Sequence, residues 1–179
     1  MIAAALYCRN NSIYKKIPQV DVYDLARDAR TFSSDLPVIA HPPCRLWGRL
    51  RTFSTAPESE RDLAFHAVEQ VRKNGGILEH PAFSTLWTAA GLPLPGERDE
   101  FGGFTFPILQ SWFGHKAPKA TWLYIVGIEP AHLPAFPLQL GIPAGRVCKT
   151  GSMLLREGTP LDLALWLLDV CTMIKERNA

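Results

Sequence analysis

Short apolar runs that stop at prolines are the clearest pattern along this chain. Residues 38–40 have the length and β-branched content of a buried strand, and two prolines end the run just before Cys44. Residues 76–78 form a second such run, which leads into Glu79, His80 and a proline. We therefore expect Cys44 and Glu79 at the carboxyl ends of two core strands, the edge of an open α/β sheet where ligands bind.

The segment between these two runs has the pattern of one amphipathic helix. A start signal at residues 55–58 combines a threonine, an early proline and a glutamate, and Gly75-Gly76 ends the pattern. Strand, helix and strand in this order are typical of a crossover between parallel strands. The apolar residues at helical spacing are Leu63, Ala64, Ala67, Val68 and Val71.

A β-hairpin is predicted later in the chain. Residues 104–110 and 121–126 are strand-like, and their connection is too short for a crossover helix, so the two strands should pair antiparallel at one edge of the sheet. Residues 129–158 are rich in proline and glycine and carry no clear pattern.

Together these elements predict one α/β domain over residues 1–179, a three-layer, Rossmann-like fold with a mostly parallel sheet. We expect a last helix after residue 159 to pack on the sheet through a stripe formed by Leu161, Leu165, Leu168 and Ile174. The other expected elements are strands at residues 2–8 and 20–24 and a short helix at 84–90.

Composition narrows the function classes. The formal net charge is only +2, so nothing suggests a polyanion-binding tail, and basic character is local, as at Arg45, Arg49 and Arg51. No run approaches the about 18 apolar residues of a membrane helix, and no signal peptide is expected. The four cysteines, Cys8, Cys44, Cys148 and Cys171, are far apart, which favours a cytoplasmic protein with free thiols over a zinc ribbon or a disulfide scaffold.

A cysteine and a carboxylate at neighbouring strand ends suggest nucleophilic catalysis on an electrophilic ring. Arg45, Arg49 and His41 are candidate cations that would favour the Cys44 thiolate. Glu79, if a closed apolar site keeps it protonated, could donate to a ring nitrogen. In the structural alternative, Cys44 packs under its turn and Glu79 pairs with an arginine.

These residues resemble the DNA (cytosine-5) methyltransferases. The segment 35–44, ending in Pro-Pro-Cys, is similar to the family's fourth motif, and Leu-Glu-His-Pro at 78–81 stands where the family has Glu-Asn-Val. The basic segment 115–122 resembles the family's basic strand only loosely, and residues 41–124 also resemble small phage-encoded relatives.

The resemblance implies that Cys44 adds to carbon 6 of a pyrimidine while Glu79 holds the ring, and that S-adenosylmethionine is the cofactor. It implies DNA or a pyrimidine nucleotide as partner, and the host cytoplasm as location if the protein is phage-encoded. The chain lacks the family's glycine loop after the first strand and is too short for its target-recognition domain. A protein partner or second copy, a single-stranded or free-nucleotide substrate, and a lost methyl-transfer activity therefore all stay open. The expected site residues are His41, Pro43, Arg45, Trp47, His80, His115 and Lys119 for substrate, and Tyr7, Asp24 and Asp28 for cofactor.

Two other classes of function remain. A metal-dependent enzyme could use His41, His80 and His115 with Cys44, although their spacing matches no standard zinc pattern. A non-catalytic module could keep the fold to bind a nucleotide, DNA or a host protein, for example in phage counter-defence. Among the aromatic residues, Trp47 and Trp112 lie in basic loops and are better candidates for stacking on a base than Trp87 and Phe113.

Overall fold

One mixed sheet organises the computed structural model, which describes residues 1–139 and 158–177. The strand order is β2-β1-β3-β4-β6-β5. The strands are β1 (Ala3–Leu6), β2 (Val20–Val22), β3 (Val38–Ala40), β4 (Gly76–Pro81), β5 (Phe104–Leu109) and β6 (Ala120–Val126). The described helices are α1 (Arg61–Asn74), α2 (Leu86–Ala89) and α3 (Leu161–Arg177).

The sheet is mostly parallel, as the sequence predicts. β2, β1, β3 and β4 are parallel neighbours, and α1 connects β3 to β4 as the expected crossover. β6 pairs antiparallel with β4, and β5 pairs antiparallel with β6, so the hairpin closes one edge of the sheet. The carboxyl ends of β3 and β4 therefore lie side by side.

Alternating side chains along each strand build two cores. Ala40 and Leu78 point to the face covered by α1, whereas Ile39 and Ile77 point to the face covered by α3. The alternation continues past these residues, so Glu79 belongs to the α3 face and His80 to the α1 face. The side chains of Glu79 and His80, although adjacent in sequence, thus point to opposite faces of the sheet.

Gly76 allows the crossover to close. Its φ is +124°, a conformation that side chains rarely adopt, and a Cβ there would lie 2.1 Å from the Val38 carbonyl oxygen. β4 can therefore approach β3 closely only because this residue has no side chain.

Two details of the helices differ from the sequence predictions. α1 begins at Arg61, after a 3-10 turn at Glu58–Glu60, rather than at residues 55–58. In α3 the predicted stripe is half wrong, because Leu161 and Leu165 are 50% and 43% exposed while Leu168 and Ile174 are buried. The other buried residues of α3 are Leu163, Ala164, Trp166, Leu167, Val170 and Cys171.

Two predictions cannot be placed on this structure. Most of the segment 129–158, together with Cys148, lies outside the described residues.

None of the helices in residues 1–139 and 158–177 combines the length and the apolar character that crossing a membrane requires.

Candidate functional site

A buried hydrogen-bond network lies at the carboxyl ends of β3 and β4. His41 directly follows β3, and its Nδ1 is 3.0 Å from Oε2 of Glu79 on β4. Oε1 of the same carboxylate accepts a hydrogen bond of 2.9 Å from Nε2 of Gln110, the residue that follows β5. Both oxygens of Glu79 are therefore held by donors that follow β3 and β5.

The network extends to a tyrosine that sequence reasoning did not single out. The Tyr14 hydroxyl, in the 3-10 turn after β1, is 3.1 Å from Nε2 of His41. Burial raises the pKa of Tyr14 well above its usual value, so the hydroxyl keeps its proton. When the imidazole is neutral, Tyr14 donates to Nε2 and Nδ1–H donates to Glu79.

Glu79 is ionised rather than protonated, which corrects the expectation from sequence. Burial alone would raise the pKa of Glu79, but the ammonium of Lys119 and the hydrogen bond from His41 lower it to about 2. A carboxylate in this state accepts hydrogen bonds and donates none. It cannot protonate a ring nitrogen in the way the sequence suggested.

Cys44 is exposed on a tight turn just beyond β3. Its carbonyl oxygen accepts hydrogen bonds from the amides of Trp47 and Gly48, which fixes the turn. Desolvation raises the pKa of the Cys44 thiol, the negative charge of Glu79 raises it further, and Lys119 lowers it. The thiol and the Glu79 carboxylate are thus close enough to influence each other electrostatically.

Two of the three expected sources of positive charge for Cys44, Arg45 and His41, have other partners. Arg45 forms an ion pair with Glu60 ahead of α1, and His41 is bound to Glu79. Lys119, on the hairpin, is the cation whose charge acts on both Cys44 and Glu79.

His80 lies on the other face of the sheet, against Trp87. It is 1% exposed, and neither ring nitrogen has a hydrogen-bond partner of standard geometry, although the Pro43 carbonyl interacts with the ring. Burial lowers the pKa of His80 to about 4, so the ring is neutral at physiological pH.

The aromatic candidates for base stacking are mostly buried. Trp47 packs its ring against Phe65, and Arg61 lies over it, so this candidate has no open face on which a base could stack. Trp112 is half-buried and packs on Phe136.

The residues expected to hold a cofactor already have partners within the chain. Asp24 accepts from the amides of residues 26 and 27 and pairs with Lys15, which lowers the pKa of Asp24 to about 2. Asp28 caps the turn Ala29–Thr31 and pairs with Arg30. Neither carboxylate is placed to hold ribose hydroxyls without giving up these contacts.

Tyr7 is a partial exception to this poor fit. Its φ of +61° gives the turn after β1 the left-handed backbone that a glycine would adopt there. Its hydroxyl, however, hydrogen bonds to Nδ1 of His66 on α1 at 2.7 Å. All three residues expected to hold S-adenosylmethionine are thus engaged by other side chains of the chain.

The histidines do not converge on a metal. His41 and His80 lie on opposite faces, and Nδ1 of His115 is within hydrogen-bonding distance of the Ala117 backbone. Among the described residues, no group of three or more histidine, cysteine, aspartate or glutamate side chains could hold a metal ion.

The structure thus joins Glu79 to His41 and places Cys44 and Lys119 beside them, and it adds Tyr14 and Gln110. A glutamine directly after a strand was a usable signal for Gln110, whereas nothing in the sequence pairs residue 14 with residue 41. When the chain was compared with family models, curated proteins and solved structures, none of them matched it.

Proposed function

We propose that the chain is a base-modifying enzyme on a reduced, methyltransferase-like version of the Rossmann-like sheet, in which Cys44 adds to carbon 6 of a pyrimidine. The observation that carries this proposal is the placement of an exposed cysteine and an ionised, fixed carboxylate at the adjacent carboxyl ends of β3 and β4. Open α/β sheets bind ligands at this edge.

Glu79 would hold the ring by accepting a hydrogen bond. Each of its oxygens receives one donor, and a carboxylate has about four lone-pair sites in total, so it can take a further N–H from a ring nitrogen or an exocyclic amine. Its negative charge would also stabilise positive charge that develops on the ring nitrogens.

The covalent step would be a reversible addition. The Cys44 thiolate forms a bond to carbon 6, and the electron pair of the C5–C6 double bond moves to carbon 5, which then takes a proton from water. Loss of a proton from carbon 5 and expulsion of the thiolate restore the ring. Because the pKa of the Cys44 thiol is raised, the reaction should be faster at alkaline pH.

S-adenosylmethionine would supply a methyl group for carbon 5, but the poor fit of Asp24 and Asp28 leads us to assign no step to it. A lapsed module that only binds its ligand is the second candidate, and the raised pKa of Cys44 favours it. DNA or a nucleotide as partner, a second copy or protein partner, and a cytoplasmic location remain predictions.

A donor-free exchange experiment separates the two candidates. The protein is incubated in D2O with single-stranded DNA or with cytidine and uridine monophosphates, and deuterium at carbon 5 is measured by mass spectrometry. Enzyme chemistry predicts incorporation that Cys44→Ser abolishes and Glu79→Gln strongly reduces. Exchange at the background rate in the unmodified protein would favour the binding module.

A further inference from the structure

Phe83 has a backbone conformation that a large side chain rarely adopts. It follows β4 at the turn closed by the Ser84 amide and the Pro81 carbonyl, and its φ is +62°. Glycine or asparagine would adopt this conformation at little cost, whereas a bulky residue there is strained. Such strain persists where it has a function.

The Phe83 side chain gains little from burial in return. It is 82% exposed, and its ring lies on Trp122 with the centroids 4.8 Å apart. Trp122 in turn packs on Trp87, so the exposed ring has a rigid aromatic base beneath it. A strained, exposed ring on a fixed support is a suitable surface for stacking.

The chain segment that carries this ring is hydrogen-bonded to the turn that carries Cys44. The Thr85 amide and the Ser84 hydroxyl both donate to the carbonyl of Trp47, at 3.1 and 3.4 Å. The amide of Trp47 donates to the carbonyl of Cys44. The segment containing Phe83 is thus hydrogen-bonded to the turn at the proposed reaction centre.

Positive charge borders the same surface. The Ala82 amide donates to the Ala120 carbonyl, which joins the chain just before Phe83 to the hairpin connection that contains Lys116 and Lys119. Residues 114–120 contain no acidic side chain, and neither lysine forms an ion pair within residues 1–139 and 158–177. An aromatic platform flanked by cations matches bases and phosphates of a single strand.

We infer that Phe83, supported by Trp122, stacks on a base next to the reacting one, so the substrate is single-stranded DNA rather than a free nucleotide. This inference rests on the proposed function for its reaction centre. A mononucleotide could occupy the Cys44 site but has no second base for Phe83, and a duplex keeps its bases stacked on one another.

The test is the affinity of a Cys44→Ser protein for a fluorescein-labelled single strand of about 15 nucleotides, measured by anisotropy. Phe83→Gly removes the ring and suits the backbone, so loss of binding cannot be ascribed to misfolding. Stacking contributes about 1–3 kcal/mol per base, so Kd should rise about 5- to 150-fold. Phe101→Ala is the matched control, because Phe101 is a partly exposed ring near the start of β5, at the opposite end of the sheet. The Kd of this variant for the single strand should stay within about twofold of the value of its parent.

Three results of the binding assay would overturn the inference. They are equal affinity of Phe83→Gly and its parent, no binding of the single strand by the parent, and equal binding of the duplex or of a mononucleotide with the same dependence on Phe83. Carbon-5 exchange that is insensitive to Phe83 would leave the proposed function standing without this inference. Phe83-dependent binding without exchange would overturn the proposed function and leave only a single-strand binding site at Phe83.

Discussion

Replacing His80 by phenylalanine should stabilise the fold, and the gain should grow as the pH falls. Both ring nitrogens of His80 are buried without standard partners, and an unsatisfied buried polar group costs about 1–3 kcal/mol. A phenyl ring of similar shape fits among Trp87 and the apolar residues around it. At neutral pH the gain should be about 1 kcal/mol after some cost of repacking.

The acid-dependent part follows from linkage. His80 takes up a proton near pH 6.5 when unfolded but only near pH 4 when folded. The unfolded state is therefore favoured as pH falls through this window, by up to about 3 kcal/mol for the shift as a whole and by about 2 kcal/mol at pH 5. His80→Phe removes this loss.

Urea unfolding at pH 7.5 and pH 5.0 measures the effect. Glu79 adds little between these values, because its pKa is about 2 when folded and its stabilising contribution is lost only as pH falls below about 4.5. Val68→Ala, a buried change in α1 without a titrating group, should lower stability equally at both pH values. If the free energy of unfolding depends on pH in the same way in His80→Phe and in the unmodified protein, then burial does not suppress the protonation of His80.

Two further substitutions test the crossover and the electrostatics of the thiol. Gly76→Ala should abolish cooperative thermal unfolding followed by circular dichroism, because its Cβ would meet the Val38 carbonyl at 2.1 Å, and an unchanged melting temperature would contradict this packing. Glu79→Gln should speed alkylation of Cys44 by iodoacetamide at pH 7 and Lys119→Met should slow it, since the two charges act in opposite directions on the pKa of Cys44. Peptide mass spectrometry gives the rates, and equal rates in all three proteins would show that these charges do not act on the thiol.

The sequence was sufficient for the parallel crossover and the hairpin. Proline-stopped apolar runs, a helix pattern ended by Gly75-Gly76 and a short hairpin connection each have one simple structural solution. The sequence pattern did not show which face of α3 packs on the sheet. Its sequence is apolar on most sides, so the stripe through Leu161 and Leu165 looked as good as the face that the sheet buries.

The location of the site was predictable, and its electrostatics were not. Strand ends placed Cys44 and Glu79 on one edge, but the charge of Glu79 depends on His41, Gln110 and Lys119, which come from separate elements. Periodicity within one element carries no information on such contacts. For the same reason, the pairing of Arg45 with Glu60 was not foreseen.

The most direct test of the central claim is covalent capture of Cys44. The protein is incubated with a single-stranded oligodeoxynucleotide that carries 2-pyrimidinone, a base that lacks the 4-substituent and is more electrophilic at carbon 6. The masses of the tryptic peptides are then measured by mass spectrometry. If Cys44 is the nucleophile, its peptide carries an adduct that Cys44→Ser eliminates and Glu79→Gln reduces. No adduct on Cys44, or equal modification of the other cysteines, would show that Cys44 is not the nucleophile.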